Sequence, residues 1–97
     1  MRLDWNPTKD ALNRRKHGLS FDEAAVLFRN PIGWLERIDE LHSDDEDRFV
    51  AVGLIARGVA AVVFVERNED VIRLVSARFA TPSEVRMYDA WVRRRNP

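Results

Sequence analysis

At 97 residues, with 45% hydrophobic and 33% charged side chains, the chain has the size and composition of one small domain with a single packed core. It holds no cysteine, which excludes disulfides and thiolate metal sites, and no apolar run long enough to cross a bilayer as a helix. Sixteen basic residues balance sixteen acidic ones, but six of the acidic ones lie in "DELHSDDED" (39–47), which leaves the rest of the chain basic, sixteen against ten.

Read in chain order, "LDW" (3–5) is a short apolar stretch suited to a sheet edge. Asn6-Pro7 is an N-cap followed by proline at the first helical position, and Gly18 is a C-terminal glycine, so a first helix is predicted between them. Ser20 and Glu23 form a capping box for a second helix, whose stripe Phe21, Ala24, Ala25, Phe28 has the spacing of a buried face. Asn30-Pro31 ends it. "IGWLERI" (32–38) is a weak strand candidate; "RFVAVGLI" (48–55), "VAAVVFVE" (59–66) and "VIRLVSA" (71–77) are stronger. "RG" (57–58) and "RNED" (67–70) read as turns short enough to force antiparallel pairing. Thr81, Pro82 and Glu84 repeat the capping signature and open a last helix with Val85, Tyr88 and Val92 on one side. Its terminal "RRR" (93–95) is expected to fray.

The order predicts an α+β fold over residues 1–97: two N-terminal helices, a three- to four-stranded antiparallel meander and a C-terminal helix. Two helices would cover one face of the sheet and leave the other for a ligand. The N-terminus "MRLDWNPTKD" lacks the apolar core of a signal peptide, which points to a cytoplasmic protein with no membrane contact.

No metal or organic cofactor is expected. His17 and His42 are the only histidines and lie far apart, and "HSDDED" lacks the glycine and terminal glutamate spacing of an EF-hand. There is no glycine-rich phosphate loop and no serine or cysteine nucleophile in a recognisable setting. Any chemistry here falls to basic side chains. Phosphodiester cleavage in RNA suits that inventory. The 2′-hydroxyl is the nucleophile, and the protein supplies a base, an acid and cations where charge grows on phosphorus. Many proteins that cut nothing hold the same residues. A non-enzymatic module that binds a partner protein, or a co-repressor acting through its open sheet face, fits the composition too.

Three blocks favour the first reading and leave the second open: "LDWNPTKDALNRRKHGLSFDEAAVLF", "HSDDEDRFVAVG" and "VVFVERNEDVIRLVSARFATPSEVRMYD". In order and spacing they resemble the BrnT family of bacterial toxins, from Leu3 to about Asp89. The resemblance implies a RelE-like fold and a ribonuclease toxin that inhibits translation. It also implies a DNA-binding BrnA-like antitoxin as partner. Such a pair would be a heterotetramer that reaches operator DNA through the antitoxin alone. Phe79 stands where the family often has a basic residue.

Eight residues carry the expected site. Lys16 and His17 close the first helix, where cations also suit the helix dipole. Arg73 interrupts an apolar strand and alternates away from Ile72 and Leu74, so it should project from the open face. Arg78 follows where strict alternation is expected to end. With Glu66, a strand-end carboxylate able to move a proton or orient an arginine, these five are the candidate catalytic residues. Arg15, Arg48 and Phe79 are candidate RNA contacts. Arg48 equally fits an ion pair with Glu46 or Asp47, and Phe79 a core or partner-facing role.

Overall fold

The computed structural model describes residues 1–39, 46–68 and 70–95. His42 and most of the acidic run fall outside that set. The elements are β1 (Arg2–Asp4), α1 (Pro7–His17), α2 (Phe21–Ala25) running into a 3-10 turn (Val26–Arg29), β2 (Leu35–Ile38), β3 (Phe49–Ile55), β4 (Gly58–Asn68), β5 (Val71–Phe79) and α3 (Pro82–Arg95).

The helix boundaries follow from their caps. The Asn6 side chain accepts from the backbone N–H groups of Thr8 and Lys9, and Gly18 closes α1 in the left-handed region at φ 68°. The Ser20–Glu23 capping box forms, and Asp10 on α1 accepts from the Phe21 N–H at 2.9 Å. α2 is only five residues long because the chain tightens into the 3-10 turn, which still buries Leu27 and Phe28. The C-terminal arginines do not fray: Arg93, Arg94 and Arg95 belong to α3, and the Arg95 guanidinium lies 4.5 Å over the Trp91 ring.

The sheet is larger than the expected meander and mixed. Its order is β1-β5-β4-β3-β2, with β2 to β5 antiparallel and β1 parallel to β5 through Arg2–Val71, Leu3–Ile72 and Asp4–Arg73. The edge role of "LDW" is thus met by a strand of three residues, and the four-strand antiparallel limit fails. The β3–β4 hairpin turns on Ala56–Arg57, with Gly58 already paired to Ile55. β4 runs through Asn68, so its turn into β5 is shorter than "RNED".

Two apolar layers result. One packs α2 and the 3-10 turn on Ala51, Ala60, Val62, Phe64, Ile72, Leu74 and Ala77. Phe28 packs edge-on to Trp34 and Phe64 with ring centroids 5.0 and 5.3 Å apart. Gly53 lets this layer close down, since a Cβ there would lie 2.9 Å from Leu27 Cγ. The other layer sets α3, through Tyr88, Trp91 and Val92, on Val50, Val52 and Ala61. The second face is therefore not open throughout. α3 covers part of it, and what remains exposed is a cleft beside the first turn of α3.

Candidate functional site

α1 is held against β5 by one amide. β1 pairs with β5 only over Val71–Arg73. Further along that edge, Asn13 (6% exposed) accepts from the Ala77 N–H at 3.0 Å and donates to the carbonyls of Ala77 and Leu19, both at 2.8 Å. All three strong hydrogen-bonding sites that it offers to buried backbone are filled. This fixes the C-terminal turn of α1, and with it Lys16 and His17, beside β5.

β5 answers with a bulge. Leu74 pairs with Phe64 and Ser76 with Val63, so Val75 is the extra residue. In a regular strand, Val75 and Ser76 would point to opposite faces; at the bulge both line the same depression. After it, alternation resumes. Arg78 pairs with Ala61 inside β5 rather than leaving the strand.

A cleft of about 480 Å3 is lined by His17, Arg37, Asp39, Arg48, Val50, Val63, Val75, Ser76 and Arg78. A shallower lobe of about 240 Å3 adjoins it through His17, Val75 and Ser76 and adds Lys9, Leu12, Asn13 and Lys16. Valines form the floor. Cations from α1, from β2, from Arg48 just before β3 and from the end of β5 form the walls, with Asp39 among them.

Below Arg78 and Arg37 lies Glu84, 4% exposed. Arg78 donates to its Oε1 and Oε2 at 2.6 and 3.1 Å, Arg37 to Oε2 at 3.0 Å, and the Thr81 N–H to Oε1 at 2.9 Å. The Arg78 bonds, with those from Thr81 and Arg37, hold the Glu84 carboxyl down at about 2 against the cost of burial. The same bonds raise Arg78. Arginine heads half exposed over a buried carboxylate keep donors available to an anionic ligand.

Of the residues expected at a site, Lys16, His17, Arg48 and Arg78 line this two-lobed cleft. Four others lie elsewhere. Arg73 does project opposite Ile72 and Leu74, but its guanidinium pairs with Asp4 at 3.4 Å across the β1–β5 edge. Glu66 lines a separate depression with Glu46, Asp47 and Phe49. Phe79 lies under the Arg57 guanidinium, 5.1 Å from its ring centroid, and Arg57 is itself tied to Glu23 and the Gly18 carbonyl. Arg15 is exposed on α1 and lines neither lobe. The cleft adds Arg37, Ser76, Glu84 and Asn13, which sequence reasoning did not single out. The signal for Glu84 was present, but its capping role accounted for it. Among the described residues, no group of three His, Asp or Glu side chains converges as metal ligands would, and no helix is long and apolar enough to cross a membrane.

Known proteins bear on this geometry. The family model for "Ribonuclease toxin, BrnT, of type II toxin-antitoxin system" matches residues 5–84, a span containing every residue of the main cleft. The chain belongs to the BrnT family. A crystal structure of the Brucella abortus ribonuclease toxin BrnT superposes with a TM-score of 0.61 at 24% identity, covering 84% of this chain and 97% of that one. At that identity the likeness speaks for the fold, an α+β BrnT fold with a five-stranded mixed sheet. No curated protein sequence matches. Membership in a type II toxin–antitoxin family brings with it an antitoxin partner.

Proposed function

We propose that this BrnT-family toxin is an endoribonuclease that cuts RNA in the two-lobed cleft, using the 2′-hydroxyl as nucleophile. The observation that carries this reading is His17, half buried between the lysine lobe and the three arginines of the main lobe. The 2′-oxygen attacks phosphorus and the bond to the 5′-oxygen breaks. The products are a 2′,3′-cyclic phosphate and a free 5′-hydroxyl. Negative charge grows on the non-bridging oxygens, where Arg78, Arg37 and Arg48 can donate charge-assisted hydrogen bonds. His17 supplies the imidazole of the cleft, a group that can take the proton from the 2′-hydroxyl or give one to the leaving 5′-oxygen. Lys16 and Lys9 would take the neighbouring phosphate. Glu66, placed in another depression, has no part in this scheme, and Arg73 contributes long-range attraction only.

In the cell such cleavage slows translation. The antitoxin is expected to cover the cationic cleft and to carry the DNA-reading element in a complex with two copies of each chain. The test is incubation of the pure protein with RNA in EDTA, followed by analysis of the new ends. Cyclic or 3′-phosphate ends, lost in His17→Ala, are the expected outcome. Cleavage of a substrate carrying 2′-deoxyribose at the scissile position would overturn the scheme.

A further inference from the structure

Arg37 and Arg78 begin far apart. β2 and β5 are separated in the sheet by β3 and β4, which puts their backbones about 14 Å apart at the usual strand spacing. Two guanidinium groups left to themselves would also repel. Yet both end on one carboxylate, that of Glu84, within 3.1 Å. Glu84 sits at the first turn of α3 with its side chain 6% exposed, while the arginines are 50% and 37% exposed at the cleft. The carboxylate thus faces the protein and the cations face the ligand. Its oxygens already accept four hydrogen bonds, so it has no lone pair aimed at a substrate proton and is not an acid or base of the reaction.

We propose that Glu84 is a positioning residue of the cleft: it gathers Arg37 and Arg78 into one fork that receives the non-bridging oxygens of a phosphodiester. This rests on the reading of the cleft as a ribonuclease site. The charges suit the ligand. Two guanidiniums and one carboxylate leave a single positive charge, matched to the single negative charge of a phosphodiester. The fork also needs no rearrangement as charge builds, which is where preorganised donors contribute most.

The proposal makes binding and turnover move in opposite senses. Removing the carboxylate charge leaves the cleft more cationic, so affinity for a polyanion should hold or rise. Loss of the fork geometry should slow cleavage. A merely structural role would lower both together. The experiment uses the full chain and Glu84→Gln, which keeps a carbonyl for the Thr81 N–H. Single-turnover cleavage of a short RNA is measured beside binding of the 2′-O-methyl version of the same oligomer, with a thermal melt for each protein. Glu84→Gln should cut about 10- to 100-fold more slowly with equal or tighter binding. Glu23→Gln, the matching residue of the other capping box, should behave as wild type. Equal cleavage by a folded Glu84→Gln, or a parallel fall in cleavage and binding, overturns the proposal. If Glu84→Gln does not fold, Arg37→Lys decides, because it keeps the charge and loses the fork; cleavage at the wild-type rate overturns the proposal. A wild-type protein that leaves the RNA intact strikes down the nuclease reading itself, an outcome distinct from one in which wild type and variant cut alike.

Discussion

α2 and α3 open with the same device, and the two copies have different fates. In each, a hydroxyl accepts from the backbone N–H three residues on, Glu23 to Ser20 at 3.1 Å and Glu84 to Thr81 at 3.2 Å. In each, the glutamate reaches back to the cap N–H, at 3.4 and 2.9 Å. In each, the glutamate also holds an arginine. The difference is exposure, 42% for the Glu23 side chain against 6% for Glu84. Glu23 and Arg57 tie the β3–β4 turn to the end of α1 from the surface. Glu84 does its work under a cleft, with two arginines instead of one. A local motif decides where a helix starts; its place in the fold decides what else its carboxylate must do.

The comparison breaks most readily on truncation. Glu84→Ala removes a buried carboxylate that accepts four hydrogen bonds, leaves two half-exposed guanidiniums to water, and should cost on the order of 3 kcal/mol in urea unfolding. Glu23→Ala, at the surface, should shift the same transition far less, and equal losses would erase the distinction. A somewhat smaller effect is expected in acid. The Glu84 carboxyl lies at about 2 in the folded protein, below its ordinary 4.5. The unfolded chain therefore binds more protons between those values, and stability rises with pH across that window. The contribution is fully present above about pH 5 and fades toward pH 2, amounting to at most about 3 kcal/mol. Urea titrations at a series of pH values should show the fall in wild type and a flatter profile in Glu84→Gln. Glu23 is also lowered, chiefly by its bond from Arg57, but at an exposed site where added salt should remove most of the effect. Smallest and most alike should be Ser20→Ala and Thr81→Ala, about 1 kcal/mol each, since both delete the same backbone cap. A clear gap between these two would mean that the helix starts themselves, and not only their glutamates, respond to burial.

Much of this fold was legible because it is written locally. Asn6-Pro7, Gly18, Ser20–Glu23 and Thr81–Glu84 each mark a boundary with chemistry that acts within a few residues. Alternation likewise placed Ile72 and Leu74 in the core and Arg73 opposite them. What escaped was non-local. The edge role of "LDW" was legible, but three residues are too few to give a strand's direction, and the parallel partner of β1 lies 69 residues downstream. The bulge at Val75 shows in "IRLVSAR" only as a slip in the apolar phase at Leu74-Val75, which the pairing with β4 turns into a definite extra residue. Arg37 sat in the weakest strand candidate, and only the approach of α3 explains its bond to Glu84. The acid expected from Glu66 failed to join His17 for the same reason: a strand end says nothing about which depression it borders. Arg73 stayed out of the cleft because Asp4, on the parallel strand β1, pairs with it.

The Asn13 amide has a consequence for self-association. β1 is so short that most of the outer edge of β5 lacks a neighbouring strand, and a bare edge is where a second chain can add by extending the sheet. At Ala77 the N–H and C=O that would greet an incoming strand are already taken by Asn13. One side chain imitates a paired residue and brings a whole helix over the gap. At that point the edge of β5 is closed to an incoming strand without a longer first strand.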